Sequence, residues 1–200
     1  MLKKTLVLLA IIISNSCFAS NLNINYGSLR YYYENIRYTA SFTQWNEEYA
    51  VTAKHVEHLE GSVYICDYGC DLQFFKHKNT QQLPSWRNAL ANEKLIFVGQ
   101  NGEQQKMVSV GINMDNSVKD TQTGIYMGKL ARVTVIPGMS GGPVYGMDGR
   151  LVGMSFASVK KSLDNYGPNA YSLYIPYEVI QKQWDIYLSQ YNGNSKSIKN

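Results

Sequence analysis

The sequence predicts an all-β fold, and three observations carry that expectation. Its 16 tyrosines are set against a modest content of charge, a balance that suits pleated, half-buried surfaces. Short β-prone runs are separated by turn residues along most of the chain. Asn101-Gly102 and Asp148-Gly149 each stand between such runs as hairpin signals.

In chain order, Met1-Leu2-Lys3-Lys4 is a basic start, Leu6 to Ile13 a short apolar run, and Cys17-Phe18-Ala19 ends on a small residue. This reads as a secretion signal, residues 1–19, cut after Ala19. Lipidation at Cys17 is the alternative, although Ser14-Asn15-Ser16 is a poor lipobox. The apolar run is too short to span a bilayer comfortably, so stable membrane insertion is not expected. The net charge is +4, and Lys3 and Lys4 supply two of those charges. That leaves little to recruit a polyanion, and no nucleic-acid partner is expected.

Residues 20 to 30 are Asn-rich and patternless, and read as a surface arm. Leu29 to Phe42 is tyrosine-rich and β-prone. Glu48 to Ala53 reads as a strand that runs into a short turn holding His55. Gly61 to Cys66 and Cys70 to Lys76 read as two further strands around an Asp67-Tyr68-Gly69 turn. Residues 79–93 are polar and contain Pro84; they read as a linker, with a helical turn over Trp86 to Ala91. Leu95 to Gly99 and Gln104 to Asn113 form a hairpin, and Met114 to Gly124 reads as a loop. Ile125 to Ile136 is a strand leading into a glycine-rich loop. Pro143 to Tyr145 pairs with Arg150 to Ser158, Lys160 to Asn169 is a polar loop, and Ala170 to Pro176 is the last strand. Tyr177, Ile180, Trp184, Tyr187, Leu188 and Tyr191 recur at helical spacing and predict a closing helix.

In an exported chain the two remaining cysteines, Cys66 and Cys70, favour a disulfide across the Asp67–Gly69 turn. Their spacing is also that of zinc ligands, with His58 and His77 to complete the set; the disulfide is the favoured reading, and no metal or other cofactor is expected.

The chemistry gathers at Pro137-Gly138-Met139-Ser140-Gly141-Gly142-Pro143. Glycine tolerates positive φ and close backbone approach, and proline fixes its own φ. Such a loop can hold one hydroxyl outward with several N–H groups turned the same way, which suits a nucleophile beside an oxyanion hole. This string resembles the nucleophile loop of the chymotrypsin-like (trypsin-fold) serine peptidases, bacterial exported type. Val51-Thr52-Ala53-Lys54-His55 is similar to the V-T-A-x-H run of that family, with Lys54 where a small residue is usual. Asp71-Leu72-Gln73-Phe74-Phe75 is similar to its D-L-x-x-x strand.

The resemblance implies Ser140 as nucleophile, His55 as general base and Asp71 as the orienting acid, with Asp67 as fallback. It implies an oxyanion hole from the N–H groups of Gly138 and Ser140. It also implies two antiparallel β-barrels with a C-terminal helix: residues 20–78 carrying His55 and Asp71, a linker at 79–93, residues 94–176 carrying Ser140, and a helix and tail at 177–200. Only 16 positions separate His55 from Asp71, where relatives insert another hairpin, so the first barrel is expected to be abbreviated. Ser155, Phe156, Ala157 and Ser158 would line the substrate cleft, with Thr134 near the pocket floor. An uncharged Thr134 disfavours cleavage after Arg or Lys. The implied activity is an exported serine endopeptidase, periplasmic or secreted, acting on a protein or peptide; a catalytically inactive binding module of the same fold is the alternative.

Overall fold

A computed structural model describes residues 26–33, 36–56, 59–67, 69–79, 83, 85–119, 124, 126–159 and 170–197. The expected signal, His58 and the polar loop at 160–169 lie outside the described residues.

Eleven strands and one helix make up the described chain. Strands β1 (Tyr26–Tyr33), β2 (Ile36–Gln44), β3 (Tyr49–Thr52), β4 (Ser62–Ile65) and β5 (Gln73–Lys76) form an antiparallel sheet in the order β1-β2-β3-β5-β4. Strands β6 (Lys94–Gln100), β7 (Lys106–Lys119), β8 (Tyr126–Arg132), β9 (Pro143–Gly146), β10 (Leu151–Val159) and β11 (Tyr171–Pro176) close into a six-stranded antiparallel barrel. Helix α1 (Tyr177–Ser197) ends the described chain. The first half is shortened as the His55–Asp71 spacing anticipates. Among the described residues only β4 lies between the two in sequence, and β1 and β4 are the ends of an open ladder.

Burial follows the sequence pattern. The uninterrupted apolar run Leu95–Val98 of β6 is buried on both faces: Leu95 and Phe97 pack with Val144, Val152 and Tyr174, and Ile96 and Val98 with Tyr145 and Leu151. A larger cluster joins the two halves: Ala53, Val56, Cys66, Cys70 and Leu72 of the first pack with Leu130, Met154, Phe156, Leu173 and Ile175 of the second. The helix adds an aromatic layer. Tyr177 stacks on Trp86, Trp184 lies against Trp45, Tyr49 and Phe74, and Tyr187 against Tyr49 and Tyr64. Such pairs add to area burial, and they explain why the helical period survives although Leu188 and Tyr191 face outward.

Three expectations are corrected. The arm expected to lack pattern to residue 30 is strand from Tyr26, because it pairs residue by residue with β2. The loop expected over Met114–Gly124 is strand to Lys119: a bulge around Asp115, at φ 55°, absorbs surplus residues and the ladder with β8 resumes at Ser117. Trp86 to Ala91 is not helical. Trp86 bridges Leu151 in parallel, with Arg87 N–H donating to the Leu151 carbonyl at 2.9 Å. Arg87 fastens this segment by pairing with Glu93 and, at 2.9 Å, with Asp148 at the β9–β10 turn. The hydrogen bond from Arg87 holds the Asp148 carboxyl well below the usual range.

Candidate active site

Strand β3 ends by feeding Ala53-Lys54-His55-Val56 into a single turn, closed by the Val56 N–H on the Ala53 carbonyl at 3.2 Å. Ala53 and Val56 are fully buried, so Lys54 and His55 are pushed outward. The buried amide of Gln73 then ties the turn down, donating to the carbonyls of Ala53 at 3.1 Å and Val56 at 2.7 Å. No motif in the sequence specifies Gln73. Its signal was a polar residue between Leu72 and Phe74 in an apolar strand, which requires partners once buried.

Asp71 grips His55 twice. Its Oδ1 accepts the His55 backbone N–H at 2.8 Å, and its Oδ2 takes Nδ1 at 2.5 Å. With Nδ1–H donating to the carboxylate, a neutral ring keeps Nε2 as an acceptor. Asp71 is therefore the acid on the histidine, and Asp67 is exposed on the turn before it. That turn is held by the Cys66–Cys70 disulfide and by the Cys66 N–H on the Leu72 carbonyl at 3.0 Å. His77, whose place in the sequence also suits a metal ligand, bonds Gln44 Oε1 through Nδ1 at 2.8 Å. Lys54, the departure from the family pattern, reaches across to the Cys66 carbonyl at 2.8 Å. It thus ties the histidine turn to the aspartate turn.

The serine loop is two tight turns: Met139 N–H to Ile136 carbonyl at 3.1 Å and Gly142 N–H to Met139 carbonyl at 2.9 Å. Gly138 and Gly141 sit at φ 97° and 86°, where glycine is at home. Ser155 holds the loop from below. Its Oγ donates to the Met139 carbonyl at 2.7 Å, its carbonyl accepts from Gly141 N–H, and its N–H donates to Gly142. Fully buried, Ser155 supports the loop and has no side-chain surface to offer a substrate.

From the other side, β2 stitches the loop to the first half. Ser41 N–H donates to the Ser140 carbonyl at 2.8 Å, Ser41 Oγ to the Gly138 carbonyl at 2.8 Å, and Thr43 Oγ1 to the Gly141 carbonyl at 2.8 Å. Thr52, three residues before His55, donates to the Ser41 carbonyl at 2.8 Å. The turns bearing His55 and Ser140 are thus hung on the same pair of strands, β2 and β3. Ser41 and Thr43 left no motif, because the loop they bond lies nearly a hundred residues later. Gly141→Ala should break this seam. Its Cβ would lie 2.0 Å from the Ser41 carbonyl oxygen and 2.2 Å from Thr52 Oγ1, so a loss of roughly 2–4 kcal/mol is expected, read as a lowered urea midpoint.

Ser140 Oγ donates to the Phe156 carbonyl at 3.3 Å, and among the described residues it has no hydrogen bond to His55. Phe156 can offer that carbonyl because β10 bulges there: Ser155 pairs with Tyr174 and Ala157 with Leu173, leaving Phe156 as the surplus residue. The N–H groups of Gly138 and Ser140 have no acceptor among the described residues. Beyond Phe156, Ala157 is half-buried and Ser158 exposed. Thr134 is exposed as well. Its neighbours Val133 and Val135 are clamped to Ser172 Oγ through a carbonyl at 2.9 Å and an N–H at 3.1 Å. No cluster of three metal-ligating side chains occurs among the described residues.

No family model matches this chain, and no curated protein does. Solved structures do. A protease of M. tuberculosis, Rv3671c in its active form, superposes with a TM-score of 0.65 at 14% identity, over 86% of this chain and 84% of that one. The HtrA-type protease AlgW with a tripeptide gives 0.64 at 16% identity, over 82% of this chain and 61% of its own. A serine endoprotease of Yersinia pestis gives 0.63 at 16% identity, over 86% and 66%. The five-stranded sheet, the closed six-stranded barrel and the terminal helix therefore give this chain the trypsin-like double-barrel fold, the fold of the HtrA-type and other chymotrypsin-like serine proteases.

Proposed function

We propose that the chain is an exported serine endopeptidase, with Ser140 as nucleophile, His55 as general base and then acid, and Asp71 as the residue that orients His55. The observation that carries this reading is the double grip of Asp71 on His55, built on the strands that also hold the Ser140 loop. A serine hydroxyl is a poor nucleophile at neutral pH until a base takes its proton. Nε2 of His55 is the base, and Asp71 stabilises the imidazolium that forms. For this, Ser140 Oγ turns from the Phe156 carbonyl toward Nε2; catalytic hydrogen bonds commonly tighten only once substrate is bound. The unspent N–H groups of Gly138 and Ser140 meet the oxyanion of the tetrahedral intermediate, each such donor contributing about 3 kcal/mol. His55 then protonates the leaving amine, and water repeats the cycle on the acyl-enzyme.

The substrate backbone lies along β10. Strand β9 pairs with it only as far as Met154, so among the described residues Ala157 and Ser158 present an open edge to which an extended peptide can add.

The contact between Ser140 and Phe156 favours one second reading, a catalytically inactive binding module of the same fold. Titration with a fluorophosphonate separates the two. One covalent adduct per chain is expected; a folded protein that takes up none would establish the binding module instead.

A further inference from the structure

The disulfide sits beside the site without taking part in its chemistry. Cys66 and Cys70 are only four positions apart. A cross-link over so short a loop restrains little of the unfolded chain, so its effect is local, on the turn that carries Asp71 as the next residue. Cys66 is 1% exposed and Cys70 7%. Cys70 lines a solvent-open cleft of about 420 Å³, between the disulfide turn and helix α1, with Tyr126, Lys129, Glu178 and Lys182 among its walls. Lys129 is paired with Glu178 at 3.1 Å. Lys182 has no ion-pair partner among the described residues, and it shares the walls of the cleft with Cys70.

We propose that this cleft is a thiol–disulfide exchange site, entered by a small dithiol, and that the state of Cys66–Cys70 controls the hold of Asp71 on His55. A thiolate of the dithiol attacks Sγ of Cys70, the residue that lines the cleft. The Cys66–Cys70 bond breaks, Cys66 leaves as a thiolate and takes a proton, and a mixed disulfide forms at Cys70. The second thiol of the reductant attacks its own bound sulfur and releases Cys70, which is protonated in turn. Two electrons and two protons pass from the dithiol to the protein, and the reductant departs as a cyclic disulfide. The attacking species is an anion, which is what the Lys182 ammonium favours. Once opened, the turn keeps the Cys66–Leu72 backbone bond and the Lys54 contact but no covalent brace, and Asp71 loses its fixed aim. The loss of peptidase output rests on the function proposed above; the exchange chemistry and the loosened histidine do not.

The test treats the folded, oxidised protein with dihydrolipoate, a dithiol that carries a carboxylate. Three readouts are followed: thiols counted by alkylation and mass, the His55 Nδ1 proton by NMR, and peptide turnover. Reduction is expected in the folded state, with loss of the Nδ1 signal and a fall in kcat of about tenfold or more. Lys182→Glu is expected to slow reduction by roughly three- to tenfold and to leave the kcat of the oxidised protein unchanged. The proposal is overturned if two thiols appear while the Nδ1 signal persists. It is also overturned if reduction requires global unfolding, or if Lys182→Glu is reduced at the wild-type rate. Oxidised protein that neither turns over peptide nor takes a fluorophosphonate defeats the peptidase reading alone, and the NMR and reduction-rate readouts still decide the exchange site.

Discussion

Ser140→Ala is expected to lower kcat by about 10⁶ and to abolish fluorophosphonate labelling, because nucleophile and base act as a unit. Stability should stay within about 0.5 kcal/mol of the parent. Ser140 Oγ makes one long hydrogen bond, to the Phe156 carbonyl. The loop is held instead by its backbone: the Ser140 carbonyl on Ser41, the Gly138 carbonyl on Ser41 Oγ and the Gly141 N–H on Ser155. A variant with the parent urea midpoint and no turnover supports the assignment. A variant with the parent midpoint and unchanged cleavage of a proteome-derived peptide library would refute it. That library also checks the expectation drawn from an uncharged Thr134: a profile dominated by Arg or Lys would overturn it.

Asp71→Asn should cost about 10⁴ in kcat, for a reason visible in the double grip. The His55 backbone N–H requires an acceptor at the position of Oδ1, so the amide oxygen of the variant is committed there. Its NH₂ group then faces Nδ1, where the carboxylate had Oδ2. Nδ1 is forced to accept, the ring proton moves to Nε2, and Nε2 can no longer take the serine proton. Asp67→Asn, on the exposed turn, is expected to change kcat less than about twofold. Measuring kcat and KM for both variants distinguishes the two acids. A large loss with Asp67→Asn and none with Asp71→Asn would reverse their roles.

His55, Asp71 and Ser140 were legible because local sequence marks them: a strand ending in V-T-A-x-H, an aspartate opening a strand, a serine among glycines. The helix from Tyr177 was legible because its apolar residues recur with the helical period and face an aromatic wall at Trp45, Tyr49 and Phe74. The abbreviated first half followed from counting residues between His55 and Asp71.

Other features depend on partners distant in the chain. Nothing around Ser41 or Thr43 announces that they bond a loop nearly a hundred residues later. Gln73 is an unremarked polar residue until folding buries it against two carbonyls that need donors. The bulge at Phe156 arises from the mismatch between β10 and β11, which neither strand contains alone. The strand character of residues 115–119 comes from pairing with β8, and pairing overrides the weak local preference of polar residues for loops. Residue type and short-range order thus determined the fold class and marked the candidate groups. Their mutual aim, the support beneath the nucleophile loop and the cleft that reaches Cys70 came from packing two halves together, since hydrogen bonds and burial act through space and leave no trace in the order of residues.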